Sequence, residues 1–144
     1  MPTAPLLTGQ VIGQTALAIF AVRDRVLARA GVTFHQSVAL NAAATAGGSV
    51  DRAAVLDRMT GTLQIGEPAA VAVLAELVDA GLVRDTAGVV TLTAAGRELD
   101  DGVRAEFDEI TSAVYGDLSE EDRATAGRLL VTVTARANAL LANL

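Results

Sequence analysis

The chain has 144 residues, with 17 Asp and Glu against 11 basic residues, all of them Arg, for a formal charge of −6. No Cys and a single His are present, which excludes disulfide frameworks, thiolate metal sites and Cys nucleophiles. With 51% hydrophobic residues and a mean hydropathy of +0.43, disorder is excluded, and one domain over residues 1–144 is the expectation, able to bury about two-thirds of its unfolded surface without a staple.

Residues 1–22 carry no charged side chain, yet Pro2, Pro5, Thr8, Gly9, Gln10, Gly13, Gln14 and Thr15 break them up, so no run of about 20 apolar residues forms a membrane span. The first cations, Arg23 and Arg25, follow the apolar stretch rather than lead it, unlike a signal peptide. A cytoplasmic protein without membrane partners is expected.

Leu6 to Ala30 reads as a first helix, apolar on more than one face through Val11, Ile12, Ala16, Ile19, Phe20, Val26 and Leu27, with Gly31 as its stop. Phe34 to Thr45 reads as a second, ended by Gly47 and Gly48. Ser49 is a candidate N-cap for a short third helix carrying Asp51, Ala53, Val55, Leu56 and Met59 and closing near Gly61. A fourth starts at Glu67 and Pro68 and runs through Val71, Leu74, Leu77 and Val78 to Gly81.

The β signal is short: Leu82 and Val83, a turn at Asp85 to Gly88, then Val89 to Leu92. Such a two-stranded hairpin must lean on the helices before it. Thr93 caps a fifth helix to Tyr115, whose Leu99, Val103, Phe107, Ile110 and Val114 make one face, while Arg97 with Asp101 and Arg104 with Asp108 are spaced to pair on the other. Ser119 and Asp122 form a capping box for the last helix. There, Ala126, Leu130, Val133, Ala137, Leu140 and Leu144 make an a/d seam that reaches the final residue. An apolar seam at a chain end frays unless something packs on it; a second copy of the chain is the economical partner, intramolecular core the other reading.

Three short helices followed by a hairpin define a winged helix-turn-helix. Gly81-Leu82-Val83, then Leu92-Thr93-Ala94-Ala95-Gly96-Arg97, then Leu118-Ser119-Glu120-Glu121 resemble, in order, the landmarks of MarR-type transcriptional regulators, and Gly31-Val32-Thr33-x-x-Gln36 resembles the motif that opens that family's second helix. The resemblance implies a mostly α fold: a winged helix-turn-helix lobe (34–92) with a two-stranded wing, flanked by long N- and C-terminal dimerisation helices (6–30 and 93–144). It implies a homodimer that binds double-stranded operator DNA, and a small, often phenolic, ligand between lobe and dimer region. It places Ser49 at a phosphate, Ala69, Ala70 and Ala72 in the major groove, and Arg84, Thr86 and Gly88 at the DNA backbone. The dimer interface would take Val11, Ile12 and Ile19 with Leu130, Val133, Ala137, Leu140 and Leu144. No cofactor or metal is implied.

Phosphates are met by Arg and Lys, and base edges by polar side chains. Here the fourth helix offers Ala69, Ala70, Val71 and Ala72 with Glu67, Glu76 and Asp79, and the stretch Asp85 to Thr91 lacks the family's Asp-x-Arg wing signature. From Phe34 to Thr93 three Arg (Arg52, Arg58, Arg84) stand against six acids (Asp51, Asp57, Glu67, Glu76, Asp79, Asp85), a charge of −3. The alternative reading is therefore a degenerate winged-helix dimer that has lost DNA binding and serves as a protein-interaction or ligand-binding module. Arg84 either meets phosphate or pairs with Asp85 or Asp79.

The other singled-out residues read as structural. His35 has no second ligand nearby in sequence, Asp100, Asp101, Asp108 and Glu109 read as a solvated face, and Gly47-Gly48 reads as a turn. No nucleophile-base constellation is visible, so an enzyme is not expected.

Overall fold

Thr8 turns the chain into its first helix: its hydroxyl accepts from the Val11 amide at 3.2 Å, so α1 spans Gly9–Ala30 and begins three residues later than Leu6. The computed structural model describes residues 3–144; Met1 and Pro2, which open the uncharged leader, lie outside the described residues. It divides into two units, residues 1–107 and 108–144.

The first unit holds the lobe. Gly31, at φ 79°, ends α1 by sending its N–H to Ala28, while Val32 donates to Leu27 O. Thr33 and Gln36 then cap α2 (Phe34–Thr45) reciprocally: Gln36 N donates to Thr33 Oγ1 at 3.2 Å and Thr33 N to Gln36 Oε1 at 3.0 Å. The motif seen in the sequence is thus a complete capping box. Ala39, Leu40, Ala42 and Ala43 put α2 in the centre of the lobe.

A short strand, β1 (Ser49–Asp51), follows and leads into α3 (Arg52–Gly61), which buries Val55 and Met59. After a turn through Gln64, α4 (Glu67–Asp79) buries Ala70, Val73, Leu74 and Leu77. The wing strands β2 (Val83–Thr86) and β3 (Val89–Leu92) pair antiparallel, and β1 pairs with β3 through Ser49↔Thr91, Val50↔Val90 and Asp51↔Val89. The sheet is therefore three-stranded, ordered β1-β3-β2, rather than a two-stranded hairpin. Strand side chains alternate between faces. Val50, Val83, Val90 and Leu92 face the core, and Ser49, Asp51, Arg84, Thr86, Val89 and Thr91 share the outer face.

Thr93 starts α5 (Ala94–Tyr115), accepting from Gly96 N and donating to Gly81 O at 2.7 Å, which ties the helix to the end of α4. Leu27, Leu40, Val55, Met59, Leu74, Leu77 and Val90 form the centre of one hydrophobic core, with Val103 of α5 at its edge. The pairs expected along α5 differ: Arg104 binds Asp100 at 2.6 Å instead of Asp108. Asp100 is 6% exposed, so it is a buried member of an ion pair, not part of a solvated face; Asp101, Asp108 and Glu109 are exposed as expected. Arg97 and Asp101 form no ion pair, and Arg29 of α1 reaches Glu106 of α5.

The second unit contains the end of α5 and α6 (Glu120–Leu141). Ser119 accepts from Asp122 N at 3.0 Å, one half of the expected capping box, and Arg123 stands over the Tyr115 ring. No residue of α6 is buried. No helix among the described residues is long and apolar enough to cross a membrane.

Candidate nucleic-acid interface and effector groove

The outer face of α4 is made of small side chains. Ala69, Ala72 and Ala75 are exposed, Val78 is 40% exposed, and Glu67, Glu76 and Asp79 border them. Ala70, expected in the major groove, is fully buried, because it follows Ala69 by 100° around the helix and meets the core. Glu76 is held by Gln36, whose Nε2 donates to Glu76 Oε2 at 2.8 Å.

Ser49 is not a helix N-cap. As the first residue of β1 it lies opposite Thr91, and their hydroxyls are 3.0 Å apart. The cap of α3 is Asp51, in extended backbone and with no side-chain hydrogen bond to the helix. Arg84 is exposed on the outer sheet face, in register with Thr91. The carboxylate of Asp85 is taken by Arg52, not Arg84: Arg52 Nε donates to Asp85 Oδ2 at 3.0 Å.

Thr86 and Gly88 are exposed at the wing tip, where Ala87 (φ 51°) and Gly88 (φ 78°) both take positive φ. The tip is short because only Ala87 and Gly88 separate β2 from β3, and the β1–β3 ladder continues one step further: Arg52 N donates to Gly88 O at 2.8 Å. The first residue of α3 thus meets the wing through both backbone and side chain. Nothing in the residues around Arg52 announces this. The one signal is Val50, an apolar residue between polar Ser49 and Asp51, too short to stand out as a strand.

A second feature lies where α1 meets α2. Arg23 places its guanidinium 3.8 Å from the centroid of the Phe34 ring and 4.4 Å from that of Phe20, and its Nε donates to Asp24 Oδ1. Such stacking of a cation on aromatic faces is worth about 0.5–2 kcal/mol. Arg23, Leu27, Val32, Phe34 and His35 line an open groove of about 420 Å³. His35 sits on its wall with its ring 6.0 Å from that of Phe34, and no cluster of three or more His, Asp or Glu able to hold a metal occurs among the described residues.

The residues expected at a dimer interface carry exposed apolar surface. Ile19 is 39% exposed, Leu130 40%, Val133 39%, Leu140 67% and Leu144 fully so, Ala137 is exposed, and Val11 and Ile12 are half-buried.

A helix-turn-helix backed by a three-stranded sheet, preceded and followed by long helices, defines a winged-helix protein. Comparison with solved structures narrows this to the MarR-type winged helix. Ligand-free NadR matches with a TM-score of 0.69 and 25% identity over 91% of this chain and 99% of that one. MepR of S. aureus bound to DNA gives 0.73 and 17% identity, covering 91% of this chain and 96% of that one. A MarR family protein of Mycobacterium tuberculosis in complex with DNA gives 0.67 and 23%, covering 91% and 98%. Neither a family model nor a curated protein matches the sequence.

Proposed function

We propose that this chain is a MarR-like transcriptional regulator, a homodimer that binds operator DNA through α4 and the small sheet and takes a small phenolic ligand in the groove beside Arg23. The observation that carries the reading is the match, over nine-tenths of the chain, to regulators that include two described as DNA complexes. Second to it is the apolar surface left on α1 and α6, which a twin chain would cover. Two further solved structures of similar fold are named transcriptional regulators, and a non-enzymatic role is part of the proposal.

In this scheme the exposed Ala69 and Ala72 lie against base edges, where they offer apolar contact to thymine methyl groups but no hydrogen bonds. Arg84, Thr86 and Gly88 lie along the backbone. Arg23, with its guanidinium against both rings and its Nε on Asp24, offers its remaining N–H donors to a ligand hydroxyl, and the rings supply an apolar wall. The test is a selection of duplexes from a random library at low salt, followed by titration of the purified protein on the enriched sequence. A sequence-selective complex of one dimer per site supports the regulator. No enrichment, together with a stable dimer, leaves a protein-interaction or ligand-binding module, the second reading, which the acid-bordered alanine face of α4 favours.

A further inference from the structure

The lobe has three cations to offer a duplex, and the fold treats them differently. Arg58 and Arg84 are exposed. Arg52 is held at the wing tip by its own backbone, N–H to Gly88 O at 2.8 Å, and its side chain is 35% exposed. Asp85 occupies its Nε, one of five guanidinium donors, at 3.0 Å. Asp85 comes from β2 on the core-facing side of the sheet, opposite Val90, so it reaches Arg52 from beneath the wing.

We propose that Arg52 is a phosphate-contacting residue of the lobe and that Asp85 competes with the duplex for its guanidinium. This rests on the DNA-binding reading above. A phosphate and a carboxylate present the same chemistry to a guanidinium, two anionic oxygens at the spacing of its N–H fork. Both partners are fixed to the same sheet, so the competition is intramolecular and always present. The main chain of Arg52 stays anchored beside the wing tip when Asp85 lets go, because the backbone hydrogen bond to Gly88 does not involve the carboxylate. The wing thus carries its anchoring cation at the root of the neighbouring helix, with a built-in rival for it.

The experiment measures the affinity of the full-length protein for a random duplex from low to near-physiological salt. Four proteins are compared: wild type, Asp85→Asn, Asp57→Asn and the double variant Arg52→Gln with Asp85→Asn. Asp57→Asn removes one charge from the helix that carries Arg52 without touching the pair. Releasing one guanidinium per lobe steepens the slope of log affinity against log salt by about 1.8 per dimer, 0.9 for each phosphate gained. The expected result is that steeper slope and tighter low-salt binding for Asp85→Asn, little change for Asp57→Asn, and loss of the gain in the double variant. Asp85→Ser reads the same slope should the asparagine variant fold poorly. If Asp85→Asn moves no further than Asp57→Asn, or its gain survives Arg52→Gln, the proposal falls while the regulator stands. If wild type and every variant leave duplex unbound at low salt, the DNA-binding reading falls and takes this one with it.

Discussion

Gly96 packs against the carbonyl of Leu82, and a Cβ at that position would overlap the carbonyl oxygen and crowd the Leu92 side chain. Thr93 fixes this approach from one turn away by binding both Gly81 O and Gly96 N. Gly96→Ala is expected to destabilise the protein by about 1–3 kcal/mol, the cost of overpacking against immobile backbone. Gly102, on the same helix with nothing near its Cβ position, is the control: Gly102→Ala stabilises by up to about 1 kcal/mol through helix propensity. Thermal melts of the two variants should move in opposite directions.

At the wing tip the sign is reversed. Ala87 holds φ 51°, a conformation that Asn and Gly tolerate better than Ala, and Gly88 holds φ 78° beside it, as two-residue hairpin turns require. Ala87→Asn is expected to raise stability by about 1 kcal/mol without altering the core. A denaturant midpoint that falls would show that Ala87 is not strained.

Dimerisation gives a third outcome. Leu140 is 67% exposed near the end of a helix with no buried residue, and Leu130 is 40% exposed on the same seam. Leu130→Glu with Leu140→Glu should convert the proposed homodimer to a monomer in sedimentation analysis, since paired carboxylates on an apolar interface stay hydrated only when apart. An unchanged dimer mass would place the interface elsewhere.

Electrostatics gives the fourth. With three Arg against six acids in residues 34–93, the wild-type dimer is expected to bind random duplex with a salt slope below that of about six phosphate contacts. Ala72→Arg, on the exposed face of α4, should tighten binding and steepen the slope by about 0.9 for each phosphate it reaches. A wild-type slope at or above the six-contact value would refute the low-charge account of the lobe.

The helices and their order were readable in the sequence because their signals are local. Thr33 and Gln36 mark the start of α2 three residues apart, and Phe34–Thr45 emerges with its bounds unchanged. What could not be read depended on distant partners. Ser49, a plausible cap by residue type, pairs instead with Thr91, 42 residues on. Ala69 and Ala70 are chemically identical, so only the seating of α4 decides that one faces solvent and the other the core. Asp100 looked like a surface acid because nothing in its spacing marks burial, and its pairing with Arg104 in place of Asp108 follows from that burial. At the candidate DNA surface, α4 and the wing could be located, whereas the engagement of Arg52 by Asp85 needed the third strand.

The wing is fastened at its base by the Thr93 hydroxyl and at its side by β1 and the Arg52 amide, and Ala87 and Gly88 form the turn that joins β2 to β3. Length can therefore vary at this turn. Residues inserted between Ala87 and Gly88 would extend the hairpin outward and leave every core side chain where it is, at an entropic cost that grows only slowly with loop length. Within this architecture the reach of the lobe is set by one turn, which can be lengthened or trimmed without disturbing the core beneath it.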